Sequence, residues 1–323
     1  MPTLAAGEVL EACLRALESQ TVDEFEVVVI DNSGTGLVQA SKVSPRVRVI
    51  VNQRNVGFGA AVNQAFRAST APYLATLNDD AVADPFWLET LLADAEAHPR
   101  TGMFASEVRL AGTGTLDSAG MLMASDGSSK QAPPGPLADA NDTLFPSGSA
   151  ALYSRTMLDE IGLFDESFFL YCEDTDLGLR AQWAGWACRY VPGAVVEHRY
   201  SHTAGRASPL KAYYVERNRL YTILKNFPAR MLLVAPFASI ARYFWHVAAL
   251  LAGRGKAAEY RQEGNSAAML PWLVIKAHLA ALIRLPALLA ARHRIRATRR
   301  MTSAEFRTLL DRHSISVRQV AAL

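Results

Sequence analysis

Cysteine is scarce in this chain. Cys13, Cys172 and Cys188 are the only three, and no CxxC pair occurs. Single, widely spaced cysteines exclude a disulfide framework and a structural zinc site, and they fit a reducing compartment. Nothing at the N-terminus looks like a signal peptide, since the first 24 residues read as a charged helix, so no leader is expected. No internal repeat is visible. The apolar segments 231–251 and 269–291 lack long uncharged stretches: Arg242, His246, Lys276, His278 and Arg284 interrupt them, and the longest uncharged run, 231–241, has 11 residues. A spanning helix takes about 20 predominantly apolar residues, so these segments are expected to lie in the membrane plane as amphipathic helices. An ordinary C-terminal helical subdomain would carry the same pattern.

Acidic charge is nearly absent from the same region. Residues 230–323 hold 15 Lys and Arg against 4 Asp and Glu, net +11, whereas residues 1–229 hold 18 against 27, net −9. The basic residues alternate with Leu, Ala and Ile and lack aromatics on which bases could stack. Nucleic acid is therefore not the expected partner. An anionic membrane surface is, with Arg292, Arg294, Arg296, Arg299 and Arg300 meeting headgroups.

Half of the 323 residues are apolar and a fifth charged, a globular composition with enough chain for one large domain or two. The spacing of Val9, Leu10, Cys13, Leu14 and Leu17 predicts a helix over 8–19. FEVVVI (25–30) is a β-branched run that ends in Asp31-Asn32-Ser33-Gly34, as a buried parallel strand opening into a loop does. Residues 47–51 repeat the arrangement, and NVGFGAAVNQAFRAS (55–69) is a glycine-punctuated turn into a helix. A third strand, 73–77, closes on Asn78-Asp79-Asp80, and Asp84-Pro85 starts a helix that runs to about His98. Strands alternating with helices predict an α/β fold with a mostly parallel sheet, whose ligands bind at the carboxyl ends of the strands. Asp31, Asn55 and Asp80 fall there.

Short strands and turn-rich connections follow from 101 to 154, and DGSSKQAPPGPLADAN (126–141) reads as a mobile loop. Strands return at 148–153 and at 187–198, the latter ending on His198; beyond Pro209 the chain is helical. The stretch GLFDESFFLYCEDTDLGLRAQWAG (162–185) packs five carboxylates around an apolar-aromatic run. It sets Glu173 and Asp174 at a helix start, where acidic side chains are favoured and can edge a cleft. Each feature alone has a plainer reading. Acidic strand-end turns are commonly solvated, a lone histidine is more often structural, and an acidic helix start is ordinary capping.

Read in order, VVVIDNSG (27–34), NVGFGAAVN (55–63), NDD (78–80), Glu173-Asp174 and His198 resemble the family 2 glycosyltransferases of the GT-A fold. The rhamnosyltransferase-like and galactofuranosyltransferase-like members are most similar. The resemblance spans about 8–228 and closes with YYVERNRLYTILKNFP (213–228). It implies a GT-A (Rossmann-like), mostly parallel sheet flanked by helices in 1–228, with 229–323 as a basic, amphipathic helical region. The implied activity is inverting, metal-dependent transfer of a sugar, rhamnose among the candidates, from a dTDP- or UDP-sugar. The acceptor would be a hydroxyl of a cell-surface glycan or lipid-linked acceptor, and the enzyme peripheral on the cytoplasmic face of the plasma membrane. Asp31 would contact the base or ribose, with Asn55, Gly57 and Asn63 shaping the nucleotide pocket. Asn78, Asp79 and Asp80 match the acidic turn, Asp80 and His198 being the expected ligands of Mg2+ or Mn2+. Asp174 matches the catalytic base, and Glu173 orients the site or the acceptor.

One departure stands out. Relatives begin with a hydrophobic strand, and this chain has only MPTLAAG there, so a truncated or mis-started chain with a missing first strand is expected. That raises a second reading, a catalytically impaired, membrane-associated nucleotide-sugar binding or scaffold protein. A sugar-phosphate nucleotidyltransferase is the third, and it would carry a Gly-rich, Arg- or Lys-bearing phosphate loop after the first strand, which this chain lacks.

Overall fold

Parallel strands open the chain: β1 (Pro2–Thr3) pairs with β2 (Val27–Asp31), and β2 with β3 (Val47–Val51). The computed structural model describes residues 1–38, 44, 46–132, 135, 140–199 and 208–322. All five residues of β2 are buried. Val27 and Val29 join Leu10, Cys13, Leu14 and Leu17 of helix α1 (Glu8–Glu18), while Val28 and Ile30 join Ala61 and Ala65 of α2 (Phe58–Arg67). A strand covered on both faces explains why FEVVVI shows no polar alternation. The first strand was expected to be missing, and here the observation differs. The N–H groups of Ile30 and Asn32 donate to the carbonyls of Met1 and Thr3 at 2.9 and 2.8 Å, so the short MPTLAAG stretch still supplies a two-residue strand along β2.

Two compact units emerge, and they do not follow a single cut at 228. The first is Met1–Met121, Gln131–Phe169 and Trp186–Tyr200; the second is Leu122–Lys130, Leu170–Gly185 and Ser201–Leu323. Besides the elements above, the first unit contains β4 (Tyr73–Leu77), β5 (Ala81–Ala83), α3 (Trp87–Ala97), β6 (Thr101–Leu110) and β7 (Leu116–Ser118). After the hairpin strands β8 (Met121–Met123) and β9 (Ser129–Gln131), it resumes with β10 (Ala150–Ser154), α4 (Arg155–Ile161) and β11 (Ala187–His198). The second sheet is mixed, in the order β4-β10-β6-β11-β5 with β7 on β6, and only β6 and β11 run parallel in it. One register matters for function. His198 pairs with Ala81, which sets the end of β11 beside the turn after β4.

Helices dominate the second unit: α5 (Glu173–Trp183), α6 (Pro209–Asn226), α7 (Ala229–Leu251), α8 (Gly255–Gln262), α9 (Met269–Ala297), α10 (Ser303–Arg312) and α11 (Val317–Ala322). Buried charges tie them. Asp176 accepts from Lys225 (2.8 Å), Arg180 (2.9 Å) and Asn226 (2.9 Å), fastening α5 to α6. Asp126 and Glu216 bind Arg242, and Glu216 also binds Arg219, so the chain before β9, α6 and α7 share one ionic core. Those two guanidiniums offset the burial that would raise the Glu216 carboxyl and hold it far below the usual range. Asp126 therefore does not belong to a mobile loop: it is fully buried, and residues 129–131 form a strand. Positions 133, 134 and 136–139 of that expected loop lie outside the described residues.

Helices α7 and α9 are long and apolar enough, by length and composition, to cross a membrane, and only 22% of the apolar window of each is buried. Several charges in and beyond these segments meet protein partners. Arg242 points inward to Asp126 and Glu216, Lys276 lies 4.6 Å over the Tyr213 ring, and Arg292 and Arg296 donate to carbonyls at the end of α6. Leu233, Phe237, Ile240, Phe244 and Leu251 on α7 and Trp272, Ile275, Leu279 and Ile283 on α9 are exposed, the latter with exposed Lys276 and Arg284 beside them.

Candidate active site

In the first unit the loops that leave the strands are wired by Asx turns and backbone approach. Asp31 is buried, with one carboxylate oxygen accepting the Ser33 N–H and the other the Val38 N–H, both at 2.9 Å. Burial alone would raise its carboxyl, but the bonds from the Ser33 side chain and the loop amides outweigh it and hold Asp31 below the ordinary aspartate value. Asn55 accepts the Gly57 N–H at 2.8 Å. Gly57 sits at φ 88°, and a Cβ there would overlap the Phe169 carbonyl, which itself accepts the Phe58 N–H at 2.8 Å. Only glycine satisfies both demands. Asn63 is buried and spans Phe164 and Glu166 with its amide: it donates at 2.9 Å to each and accepts the Phe164 N–H at 3.1 Å. The side chains of Asp31, Asn55 and Asn63 and the backbone of Gly57 shape the strand-end loops through protein contacts.

The acidic turn gathers three of the expected residues with His198. Nε2 of His198 lies 3.0 Å from Asp80 Oδ1 and 3.3 Å from the Asn78 amide, and both Asp80 and His198 are buried. Asp79 accepts from the Thr3 hydroxyl at 2.6 Å, so β1 reaches the turn. Burial pushes the Asp79 carboxyl up; the Thr3 bond opposes this and the neighbouring Asp80 charge adds to it. Asp80 and His198 are an oxygen and an imidazole donor side by side, a pair that suits Mg2+ or Mn2+. Among the described residues no group of three or more His, Cys, Asp or Glu side chains gathers. A cation here would therefore draw its remaining ligands from water and substrate oxygens, which is how Mg2+ sites on phosphorylated substrates are commonly built.

Glu173 and Asp174 belong to the second unit, at the first turn of α5. The backbone before them is strained: Tyr171 and Cys172 are left-handed, at φ 69° and 63°. Asn218, fully buried on α6, holds that stretch by donating to the carbonyls of Leu170 (2.8 Å) and Tyr171 (2.7 Å). Non-glycine residues in this region cost free energy and persist only where the surroundings over-determine them. Glu173 is buried, and one of its carboxylate oxygens has no hydrogen-bond partner among the described residues. Burial first, and the Asp174 charge second, push its carboxyl up to about 8. Asp174 is half-buried and accepts the Thr175 N–H at 2.6 Å and the Thr175 hydroxyl at 3.3 Å.

Comparison with known proteins decides the family. The model described as glycosyl transferase family 2 matches residues 1–162, and that of glycosyl transferase family group 2 matches 135–291. The chain is also 31% identical over 243 residues to the N-acetylglucosaminyl-diphospho-decaprenol L-rhamnosyltransferase of Mycobacterium tuberculosis, covering 66% of this chain and 79% of that protein. The chain belongs to glycosyl transferase family 2. It is a glycosyltransferase of the rhamnosyltransferase-like group. Another relative is the O-antigen biosynthesis protein RfbC of Myxococcus xanthus, 26% identical over 190 residues, covering 54% of this chain and 15% of that one. The mannosyltransferase PcManGT of Pyrobaculum calidifontis, solved with GDP-Man and Mn2+, shares the fold: TM-score 0.54 at 15% identity, covering 92% of this chain and 84% of that one.

For this family 2 glycosyltransferase, three contributors were not legible in advance. Thr3 was hidden in a stretch judged too short for a strand, although it bonds Asp79. Asn218 lies inside the noted segment YYVERNRLYTILKNFP, but nothing in its spacing says that it holds a strained turn 47 residues away. Asp126 was hidden by its Gly- and Ser-rich neighbours.

Proposed function

We propose that this glycosyltransferase moves a sugar, with inversion, from a dTDP- or UDP-sugar to a hydroxyl of a lipid-linked glycan acceptor. Rhamnose is the favoured sugar because the mycobacterial relative is named a rhamnosyltransferase. The observation that carries the reading is the buried Asp80–His198 pair, brought to 3.0 Å from strand ends far apart in the sequence of a family 2 glycosyltransferase. Asp80 and His198 hold a divalent cation, and Asn78 and Asp79 border it; Asp31, Asn55, Gly57 and Asn63 fix the loops that receive the nucleotide. A bound Mg2+ or Mn2+ supplies positive charge against the departing nucleoside diphosphate.

Asp174 takes the proton from the acceptor hydroxyl as its oxygen bonds to the anomeric carbon and the carbon–oxygen bond to the diphosphate breaks. A base near the attacking oxygen contributes typically about 10²–10⁴-fold. Glu173, protonated at neutral pH by its burial, orients Asp174 or the acceptor without adding a second charge. The exposed apolar side chains of α7 and α9 and the arginines at the end of α9 support a reading in which the protein works at the cytoplasmic face of a membrane on a lipid-linked acceptor.

A panel of nucleotide sugars, with nucleoside diphosphate release and the product's anomeric configuration by NMR as readouts, tests this. Release from dTDP-rhamnose or a UDP-sugar that needs both Mn2+ and acceptor, with an inverted product, is expected. Retention of configuration, or transfer unaffected by chelator, would refute it.

A further inference from the structure

A hydroxyl from outside α5 acts on the Asp174 carboxylate through Thr175. Asp174 Oδ1 accepts the N–H and the hydroxyl of Thr175, at 2.6 and 3.3 Å. Thr175 is buried, and its hydroxyl lies 3.0 Å from that of Ser129, the first residue of β9. A threonine hydroxyl has one proton, and an ionised carboxylate can only accept. The Thr175 proton therefore goes to Asp174, and Ser129 donates to Thr175. Two hydroxyls in series, each polarising the next, end on the carboxylate.

The turn that carries Ser129 is anchored on several sides, all within the second unit. Asp126, fully buried, accepts the Ser128 N–H (3.1 Å) and hydroxyl (3.0 Å) and pairs with Arg242 of α7. Arg219 of α6 donates to the Asp126 carbonyl. Gly127 stands at φ 82°, and a Cβ there would come within 2.5 Å of Ile223, also on α6. Met123 donates its N–H to the His313 carbonyl at 3.0 Å and accepts the Ile315 N–H at 3.2 Å, so the C-terminal segment braces the hairpin as well. Asn218, next to Arg219, bonds the Leu170 and Tyr171 carbonyls. Two adjacent residues of α6 thus hold the chain before Asp174 and the turn before Ser129. A lone buried hydroxyl is as well served by water; an anchored serine also fixes the direction from which Thr175 is approached.

We propose that Ser129 and Thr175 are positioning residues, whose hydroxyls in series hold the Asp174 carboxylate in one rotamer for proton transfer. This rests on the function proposed above, which gives Asp174 the acceptor's proton. Neither hydroxyl meets the reacting atoms. A carboxylate left to turn about its side-chain bonds spends part of its time out of reach, and a displacement of about 1 Å costs on the order of 10²-fold in rate. Glu173, the adjacent carboxylate, has one oxygen with no hydrogen-bond partner among the described residues. The donor chain therefore singles out Asp174 from the pair.

Turnover of dTDP-rhamnose with Mn2+ tests it in the full chain, with N-acetylglucosaminyl-diphospho-farnesol as a short-chain form of the acceptor named for the mycobacterial relative. Thr175→Val should lower kcat about 10–100-fold, the loss of a hydrogen bond to a charged group, and Ser129→Ala about 2–10-fold, the loss of a neutral one. KM for dTDP-rhamnose and the Mn2+ requirement should not move, and Thr175→Ser should restore most of kcat. In the Asp174→Asn background, Ser129→Ala should cost less than about twofold more, because the carboxylate it serves is gone. Should Thr175→Val fail to fold, Ser129→Ala, which removes only a half-buried hydroxyl, carries the test. Wild-type kcat in Ser129→Ala and Thr175→Val overturns the proposal while a slow Asp174→Asn leaves the base standing. A full additive loss in the Asp174→Asn background, or a change confined to KM, overturns it too. Wild-type turnover by Asp174→Asn refutes the base itself, and the positioning role with it. If the wild type does not turn over this pair, crystals of the two variants decide: Asp174 spread over several rotamers supports the proposal, and an unmoved carboxylate overturns it.

Discussion

Two pairs of adjacent carboxylates, one in each unit, are built in opposite ways. In the turn after β4, both members have a protein partner: the Thr3 hydroxyl for Asp79 and the His198 ring for Asp80. The backbone there is free of left-handed residues. At the start of α5, Tyr171 and Cys172 are left-handed, and Glu173 is buried with one oxygen unsatisfied among the described residues. The first arrangement fixes charge and suits holding a cation. The second raises a proton affinity and keeps a half-buried carboxylate beside it, which suits moving a proton.

Substitutions can break this contrast, and their effects should differ in kind. The largest is expected at the helix start. Asp174→Asn should lower kcat by about 10²–10⁴-fold and leave calorimetric binding of the nucleoside diphosphate unchanged; a proportional loss of binding would put Asp174 in the wrong role. At the turn, His198→Ala should reverse the pattern. The Mn2+ concentration for half-maximal activity should rise by at least about 10–100-fold, the range that even an outer-shell partner costs. Activity titrated against Mn2+ reads this directly.

A smaller effect is expected where the strain is held. Asn218→Ala removes two hydrogen bonds from the Leu170 and Tyr171 carbonyls. An abandoned buried polar group costs about 1–3 kcal/mol, so urea denaturation should show a loss of that order, with kcat falling and the Mn2+ requirement unmoved. The smallest is a pH signature. Glu173 titrates at 4.5 in an ordinary setting and at about 8 here. A raised folded value means that its contribution is fully present below pH 4.5 and is lost as pH rises toward about 8. Glu173→Gln should flatten the stability profile across that window, and an unchanged slope would show that Glu173 is not buried as described.

How much of this was readable from residues depended on whether the signal was local. The buried strand FEVVVI, the glycine turn at Gly57 and the helix after Asp84-Pro85 state their structures in a few adjacent positions. The alternation of strands and helices likewise announced the α/β class. The return of β10 and β5 as antiparallel strands was not announced, because pairing partners are set by long-range register. The inward turn of Arg242 was equally hidden: a charge reads as solvent-facing until its partners, Asp126 and Glu216, are known. The candidate site divides in the same way. Asp80 and Glu173-Asp174 stood out as acidic ends of elements, whereas Thr3 and Asn218 act through contacts 76 and 47 residues away.

The most direct test of the central claim is a titration of dTDP and UDP into the full chain with and without Mn2+, repeated on Asp80→Ala and Asp174→Asn. Binding that requires Mn2+, vanishes in Asp80→Ala and persists in Asp174→Asn is the predicted result. Binding that ignores the metal, or that survives in Asp80→Ala, would contradict it.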